Sequence, residues 1–284
     1  MMSDSDLTTT VTAIELLDNQ TLHVLVTTND IRDNYVSELR RLSGPRFEAV
    51  EVLFRRTEWL TGFTSPSREV SYIARWDNTI YVVGTQNQRA VGRPCEAITR
   101  VVSGPDGQVF ATCYWGLIQW LLNGQWQSID FGREVDLFHV LPTGSNEFYV
   151  CGAEGSLAQW SNGNVAFFEL PTDAALFALA QDTNGKIIVG GEGILFRGGG
   201  TIWDAVDVSE TTFHHARRHG SAINLGGGEN GLYRLSDSNL LQVNGDILAY
   251  YVADFGDLIA TCGANKVWII DGNTTYAITF DHLF

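Results

Sequence analysis

An internal repeat constrains this chain more than any other feature. Residues 148–160, 187–197 and 223–234 each run apolar strand, glycine turn, second strand, and weaker copies occupy residues 109–120 and 258–270. Anchored on Cys113, Cys151, Gly190, Gly227 and Cys262, the copies step by 38, 39, 37 and 35 residues. A unit of that length cannot bury its own apolar faces, so neighbouring copies must stack on one another. An apolar segment precedes the phrase, as at residues 136–141 and 175–180, and a further one follows it, as at residues 125–129. Each repeat therefore holds four short strands.

Among repeat architectures, leucine-rich and helical solenoids need Leu/Asn ladders or sustained 3.6-residue periodicity, and the chain has neither. Its 29 Gly, 6 Pro, 8 Trp, 15 Phe and 9 Tyr suit β-structure joined by tight turns. The expectation is an all-β chain, a single β-propeller of four-stranded blades. The repeats alone account for five blades. Residues 11–17, 22–27, 35–42 and 47–54 supply a divergent first blade. Residues 70–74 and 80–84 open another, whose outer strands before Cys95 look truncated. Seven blades of about 40 residues fit the length, with six as the alternative because residues 57–93 are irregular. Either residues 275–280 complete the last blade alone, or the first strand crosses over to it. In domain terms, residues 1–7 read as a flexible acidic N-terminus and 8–284 as the propeller.

The repeats resemble those of seven-bladed propellers of the photosystem-assembly-factor and sialidase-repeat type, whose blades carry a Gly-x-x-Gly-x-hydrophobic turn and a later Gly-x-Thr-Trp. Here Gly200-Thr201-Ile202-Trp203 keeps the Gly and the Trp, while the Ser and Asp of the sialidase box are absent near residues 196–198. The resemblance spans roughly residues 96–280 and implies architecture only. No arginine triad with a Tyr and Glu nucleophile pair can be placed on these positions.

Lys plus Arg number 18 and Asp plus Glu 33, a formal charge of 18 − 33 = −15. That charge opposes binding to a phosphate backbone or an anionic membrane surface. No run approaches the ~18 apolar residues a span needs, and the start Met1 to Asp6 is acidic where a signal peptide is basic then apolar. The expected compartment is the cytoplasm.

Glu154, Glu192 and Glu229 fall in the turn between second and third strands of successive repeats. In a propeller that turn shares a rim with the loops connecting blades, so the three acids form an arc suited to a basic surface. Trp115 occupies the same turn one blade earlier and reads as a binding anchor. The bland alternative is ordinary turn chemistry, with each acid pointing separately into water. His139 and His215 lie at matching places in first strands, beside a cluster of His214, Arg217, Arg218 and His219. They are candidates for an acid–base pair near the central channel, against a reading as polar channel lining.

Cys113, Cys151 and Cys262 end second strands of different blades, which are radially separated, so these and Cys95 are expected to stay unpaired. Neither Cys-x-x-Cys nor paired Cys and His spacing occurs, so no metal is expected, and the absence of nucleotide-binding loops leaves no cofactor. Five of the tryptophans, Trp120, Trp160, Trp268, Trp126 and Trp203, read as blade packing.

Together these features favour a non-enzymatic module that binds a basic protein. A bacterial immunity protein (an antitoxin) that neutralises a basic toxin domain is its most specific form. The alternative is a lyase or hydrolase acting on a sugar or cyclic ester through His139 and His215.

Overall fold

Residues 7–84, 89–90, 97–122, 124–237 and 239–283 are described by a computed structural model. They form seven antiparallel four-stranded sheets. The first blade is β1 (Leu7–Asp18), β2 (Thr21–Asp30), β3 (Tyr35–Ser43) and β4 (Ala49–Arg56), and the second is β5 (Leu60–Thr64), β6 (Val70–Arg75), β7 (Ile80–Gly84) and β8 (Arg89–Ala90). The third is β9 (Ile98–Ser103), β10 (Val109–Cys113), β11 (Leu117–Leu122) and β12 (Gln125–Asp130), and the fourth is β13 (Leu137–Gly144), β14 (Glu147–Gly152), β15 (Leu157–Ser161) and β16 (Asn164–Phe168). The fifth is β17 (Leu176–Gln181), β18 (Ile187–Gly191), β19 (Ile194–Gly199) and β20 (Ile202–Ala205), and the sixth is β21 (His215–His219), β22 (Ala222–Gly226), β23 (Leu232–Ser236) and β24 (Asn239–Asn244). The seventh is β25 (Tyr251–Phe255), β26 (Leu258–Gly263), β27 (Lys266–Asp271) and β28 (Thr274–Thr279). The chain is thus a seven-bladed β-propeller.

Second strands are apolar on both faces, and β2, β10, β18 and β22 are buried along nearly their whole length. Fourth strands face water and carry polar residues, as in Gln125–Asp130. Each seam between blades has its own apolar cluster, which explains the repeat period physically. The aromatic seam between the third and fourth blades is the clearest: across it Phe110 meets Phe148 at 5.2 Å and Trp120 meets Trp160 at 5.6 Å. Such ring pairs add to area burial.

The ring closes without a shared strand. Both end blades hold four strands of their own, and Val11, Ile14 and Leu16 pack on Ala260, Val267 and Ile269 as at any other seam. The backbone N–H of Val11 donates to Ala264 O at 2.6 Å, and the C-terminal tail returns to the first blade, where Arg55 donates to Leu283 O at 2.8 Å.

Two details differ from the sequence reading. The innermost strand of the second blade is Leu60–Thr64, ahead of the segments at 70–74 and 80–84, and too short to show a period. Cys113 is disulfide-bonded, whereas Cys151 and Cys262 are buried free thiols. Radial separation excludes pairing only among the cysteines at matching blade positions; Cys95 is outside that set and lies outside the described residues.

Candidate functional site

Two rims follow from the hairpin order. Turns between second and third strands share one rim with the blade-to-blade connectors, here the connector rim; first-to-second strand turns lie on the opposite rim. Trp115, Glu154, Glu192 and Glu229 all occupy connector-rim turns of four successive blades, and all four are exposed. Trp115 and Glu154 take left-handed conformations, with φ of 63° and 55°, each followed by a glycine also at positive φ. The paired left-handed residues match the twist of the flanking strands. A Cβ on Gly116 or Gly155 would overlap the carbonyl of Arg133 or Thr172 in the adjoining connector, so the turn tip is clamped against the next blade. A bulky residue at positive φ carries strain that surrounding structure must hold. None of the three glutamates has an ion pair or side-chain hydrogen bond among the described residues.

Exposed apolar residues are distributed unequally. Ile31, Trp59, Trp76, Tyr114, Trp115 and Tyr250 lie on the connector rim, and of the exposed large hydrophobics among the described residues only Phe255 lies on the opposite one; the rest sit on outer strands. Tyr35 and Trp59 stack at 5.5 Å and, with Trp76, line a groove of about 630 Å³ between the first two blades. The other five tryptophans are at least partly buried, as packing residues should be.

The channel mouth on this rim is built by a device invisible to periodicity. A β-bulge places one extra residue near the start of the innermost strand in each of the first five blades: Thr12, Thr61, Thr99, Phe138 and Phe177. In the last two blades His214 and Tyr250 take that place, since their N–H groups donate to Gly226 O and Cys262 O, whose residues pair with His215 and Tyr251. Bulges re-aim side chains. Here the bulges put Thr61, Thr99, Phe138 and Phe177, joined by His214 and Tyr250, around a chamber of about 270 Å³ that Thr12 does not line. Rings run along one side: Phe138 to Phe177 at 5.1 Å, Phe177 to His214 at 6.0 Å and His214 to Tyr250 at 4.9 Å.

The next residue of each strand forms a second layer: Ala13, Gly62, Arg100, His139, Ala178, His215 and Tyr251. The small ones let the large ones meet. Over Ala178, His139 and His215 approach to 5.5 Å between ring centroids, and His215 stacks on Tyr251 at 4.4 Å. Past Gly62 and Ala13, Arg100 reaches Tyr251, its Nε donating to the phenol oxygen at 3.0 Å and its guanidinium lying 4.6 Å from the ring centre. Tyr251 divides the mouth from an inner chamber of about 440 Å³ that His139 and His215 line together with Glu15 and Arg217.

Burial, and then the positive Arg100, hold His139 and His215 well below the ordinary imidazole range, so both are neutral at pH 7. The Leu179 N–H donates to His139 Nδ1 at 3.2 Å, which leaves the proton on Nε2. His215 Nδ1 is buried without a partner among the described residues. The two histidines, only 5% and 7% exposed, are thus brought together beside a cavity. His219 sits apart, bonded to Asp254 at 3.1 Å together with Arg217 at 3.0 Å. No group of three or more metal-ligating side chains occurs among the described residues.

No family model matches the chain, and no curated protein matches it in sequence. Solved structures match its shape. The WD40 β-propeller domain of Doa1 is similar with a TM-score of 0.72 at 13% identity, covering 93% of each chain. The C-terminal WD40 domain of Sif2 is similar at 0.68 and 12%, over 93% of this chain and 82% of that one. YCF48 bound to D1 peptide is similar at 0.67 and 12%, over 96% and 94%. The likeness is one of fold. No helix among the described residues is long and apolar enough to cross a membrane.

Proposed function

We propose that this chain is a non-enzymatic propeller that binds a basic protein on its connector rim, through Glu154, Glu192, Glu229 and Trp115. One observation carries the reading: five of the seven exposed aromatics among the described residues lie on the rim where three turn acids have no side-chain partner among those residues. Aromatic anchors supply affinity at such a surface, and unpaired acids of one sign speed the approach of a basic partner. YCF48, of similar fold, was solved bound to a D1 peptide, so this scaffold is compatible with peptide capture. The most specific form of the proposal is a cytoplasmic immunity protein that masks the active site of a basic toxin.

Its test is co-purification with a toxin encoded beside it, protection of cells from that toxin, and the charge reversal Glu154→Lys, Glu192→Lys, Glu229→Lys. The reversed chain is expected to bind on the order of a hundredfold more weakly, chiefly through a slower association that salt no longer modulates. Unchanged binding would remove this face from the proposal.

One observation favours a second reading, a lyase or hydrolase acting on a sugar or cyclic ester. His139 and His215 meet at 5.5 Å beside the inner chamber, and Glu15 on its wall is pushed up to about 7 by burial. Turnover of such a substrate, lost in His139→Gln and His215→Gln while toxin binding persists, is the outcome that would select it.

A further inference from the structure

Arg100 is the channel residue that the rim reading leaves without a role. It is part-buried and lines the mouth chamber, and no carboxylate lies within ion-pair distance of it among the described residues, although the chain holds 33 acids to 18 bases. Arg55, Arg197 and Arg217 each face a carboxylate. Arg100 instead meets a phenol, a ring face and the Phe177 carbonyl at 3.4 Å. A guanidinium withdrawn from water without a counter-charge is costly, and an anion supplied from outside relieves that cost. Its field is felt nearby: after burial, Arg100 is the cause that lowers His214, and it also depresses His139 and His215.

The mouth chamber is two-sided in chemistry. Phe138, Phe177, His214 and Tyr250 supply ring faces from the fourth to seventh blades, while the second and third blades supply Arg100 and two threonines. The hydroxyl of Thr99 is engaged with Thr112 and with the Leu137 carbonyl, but Thr61 Oγ1 is buried with no partner among the described residues. An unpartnered hydroxyl, closed off from solvent, and an uncompensated guanidinium therefore belong to residues lining the same chamber of about 270 Å³, which Phe138, Phe177, His214 and Tyr250 also line.

We propose that this mouth binds a small organic anion, a carboxylate carried on a flat ring, with the carboxylate against Arg100 and against the Thr61 hydroxyl once a χ1 rotation turns it from its covered position into the chamber, and the ring against Phe177, His214 and Tyr250. A charge-assisted pair fixes one end and offset stacking the other. Charge alone or a ring alone satisfies half of the chamber. This goes beyond the protein-binding proposal and does not rest on it.

Benzoate is the probe, titrated into the full chain by calorimetry or ligand-observed NMR. The expected result is saturable one-to-one binding, with cyclohexanecarboxylate and benzyl alcohol each several-fold weaker. Arg100→Gln weakens benzoate about tenfold or more, as expected for losing a hydrogen-bonded charge pair, while leaving benzyl alcohol unchanged. Should Arg100→Gln fail to fold, two variants carry the test. Tyr250→Ala at an exposed position lowers benzoate affinity several-fold and acetate affinity not at all, and Thr61→Val weakens both anions. Absence of saturable benzoate binding by the parent chain overturns the proposal. So does equal benzoate affinity in the parent and Arg100→Gln, or in the parent and both substitute variants.

Discussion

Asp18 and Asp182 on one rim of the propeller contrast with Glu154, Glu192 and Glu229 on the other. On the opposite rim, Asp18 pairs with Arg68 and caps the Gln20 N–H, and Asp182 accepts from Arg197 and from the Asn184 and Lys186 N–H groups. On the connector rim the first two blades behave the same way: Asp30 accepts from Arg32 and Asn34, and Glu58 from Tyr81 at 2.8 Å. From the fourth blade to the sixth the pattern stops, and Glu154, Glu192 and Glu229 stand in connector-rim turns with no side-chain partner among the described residues. A charge whose partner lies in the same chain serves the fold. One on a clamped backbone without a partner can meet another molecule without first breaking an internal pair.

Removing an internally engaged acid gives the largest expected effect. Asp182 is nearly buried, and the Arg197 it binds also donates to the Asp237 carbonyl in the neighbouring blade, so one carboxylate fastens two blades. Burial alone would raise its pKa, but Arg197 and the two N–H groups outweigh burial and hold the carboxyl below its ordinary range. Because the folded value is depressed, its contribution is present above the unfolded value near 3.8 and lost as pH falls below it. Asp182→Asn is expected to cost about 2–4 kcal/mol at pH 7, read as a lowered denaturant midpoint. A loss within the noise would break the contrast between the rims.

Glu15 sharpens the contrast from another side, as an acid facing the inner chamber without an ion pair among the described residues. Burial pushes its carboxyl up to about 7, although the Ser65 N–H at 2.5 Å, Arg217 and Thr64 oppose the rise. A raised folded value gives the opposite sign: stabilisation is complete below the unfolded value of 4.5 and disappears as pH climbs through 7. Glu15→Gln is therefore expected to match the parent at pH 4.5 and to exceed it by about 1–2 kcal/mol at pH 8, after discounting for partial exposure. Equal stability at both pH values would show Glu15 solvated and the chamber wall more open than its burial implies.

The repeat made the blades legible because every hairpin needs a turn glycine and a buried second strand at a fixed interval, and both leave residues in the chain. The connector-rim acids were legible for the same reason. The channel layers were not. Whether Phe138 or His139 points into the mouth depends on one unpaired residue in the ladder, which is a property of register rather than of composition. The same slip moves the anchors Cys113 and Gly227 by one, since Thr112 and Gly226 are the residues that match Cys151 in pairing. Arg100 stayed hidden because its significance lies in the carboxylates it does not meet. Its one legible sign is its place in the second layer, matching His139 and His215.

Trp115 gives the smallest effect, and one that separates the rims most cleanly. Its left-handed φ of 63° before Gly116 is a position that favours Asn over a bulky ring. A residue chosen for folding would not be tryptophan. Trp115→Asn is expected to raise stability by about 0.5–1 kcal/mol while weakening capture of the partner, because strain is relieved where a contact is lost. The measurement is a pair, a denaturation curve and a binding isotherm on the same preparation. If Trp115→Asn instead lowers stability, the ring is packing against its own rim, and the aromatic segregation loses the residue that ties it to the unpaired acids.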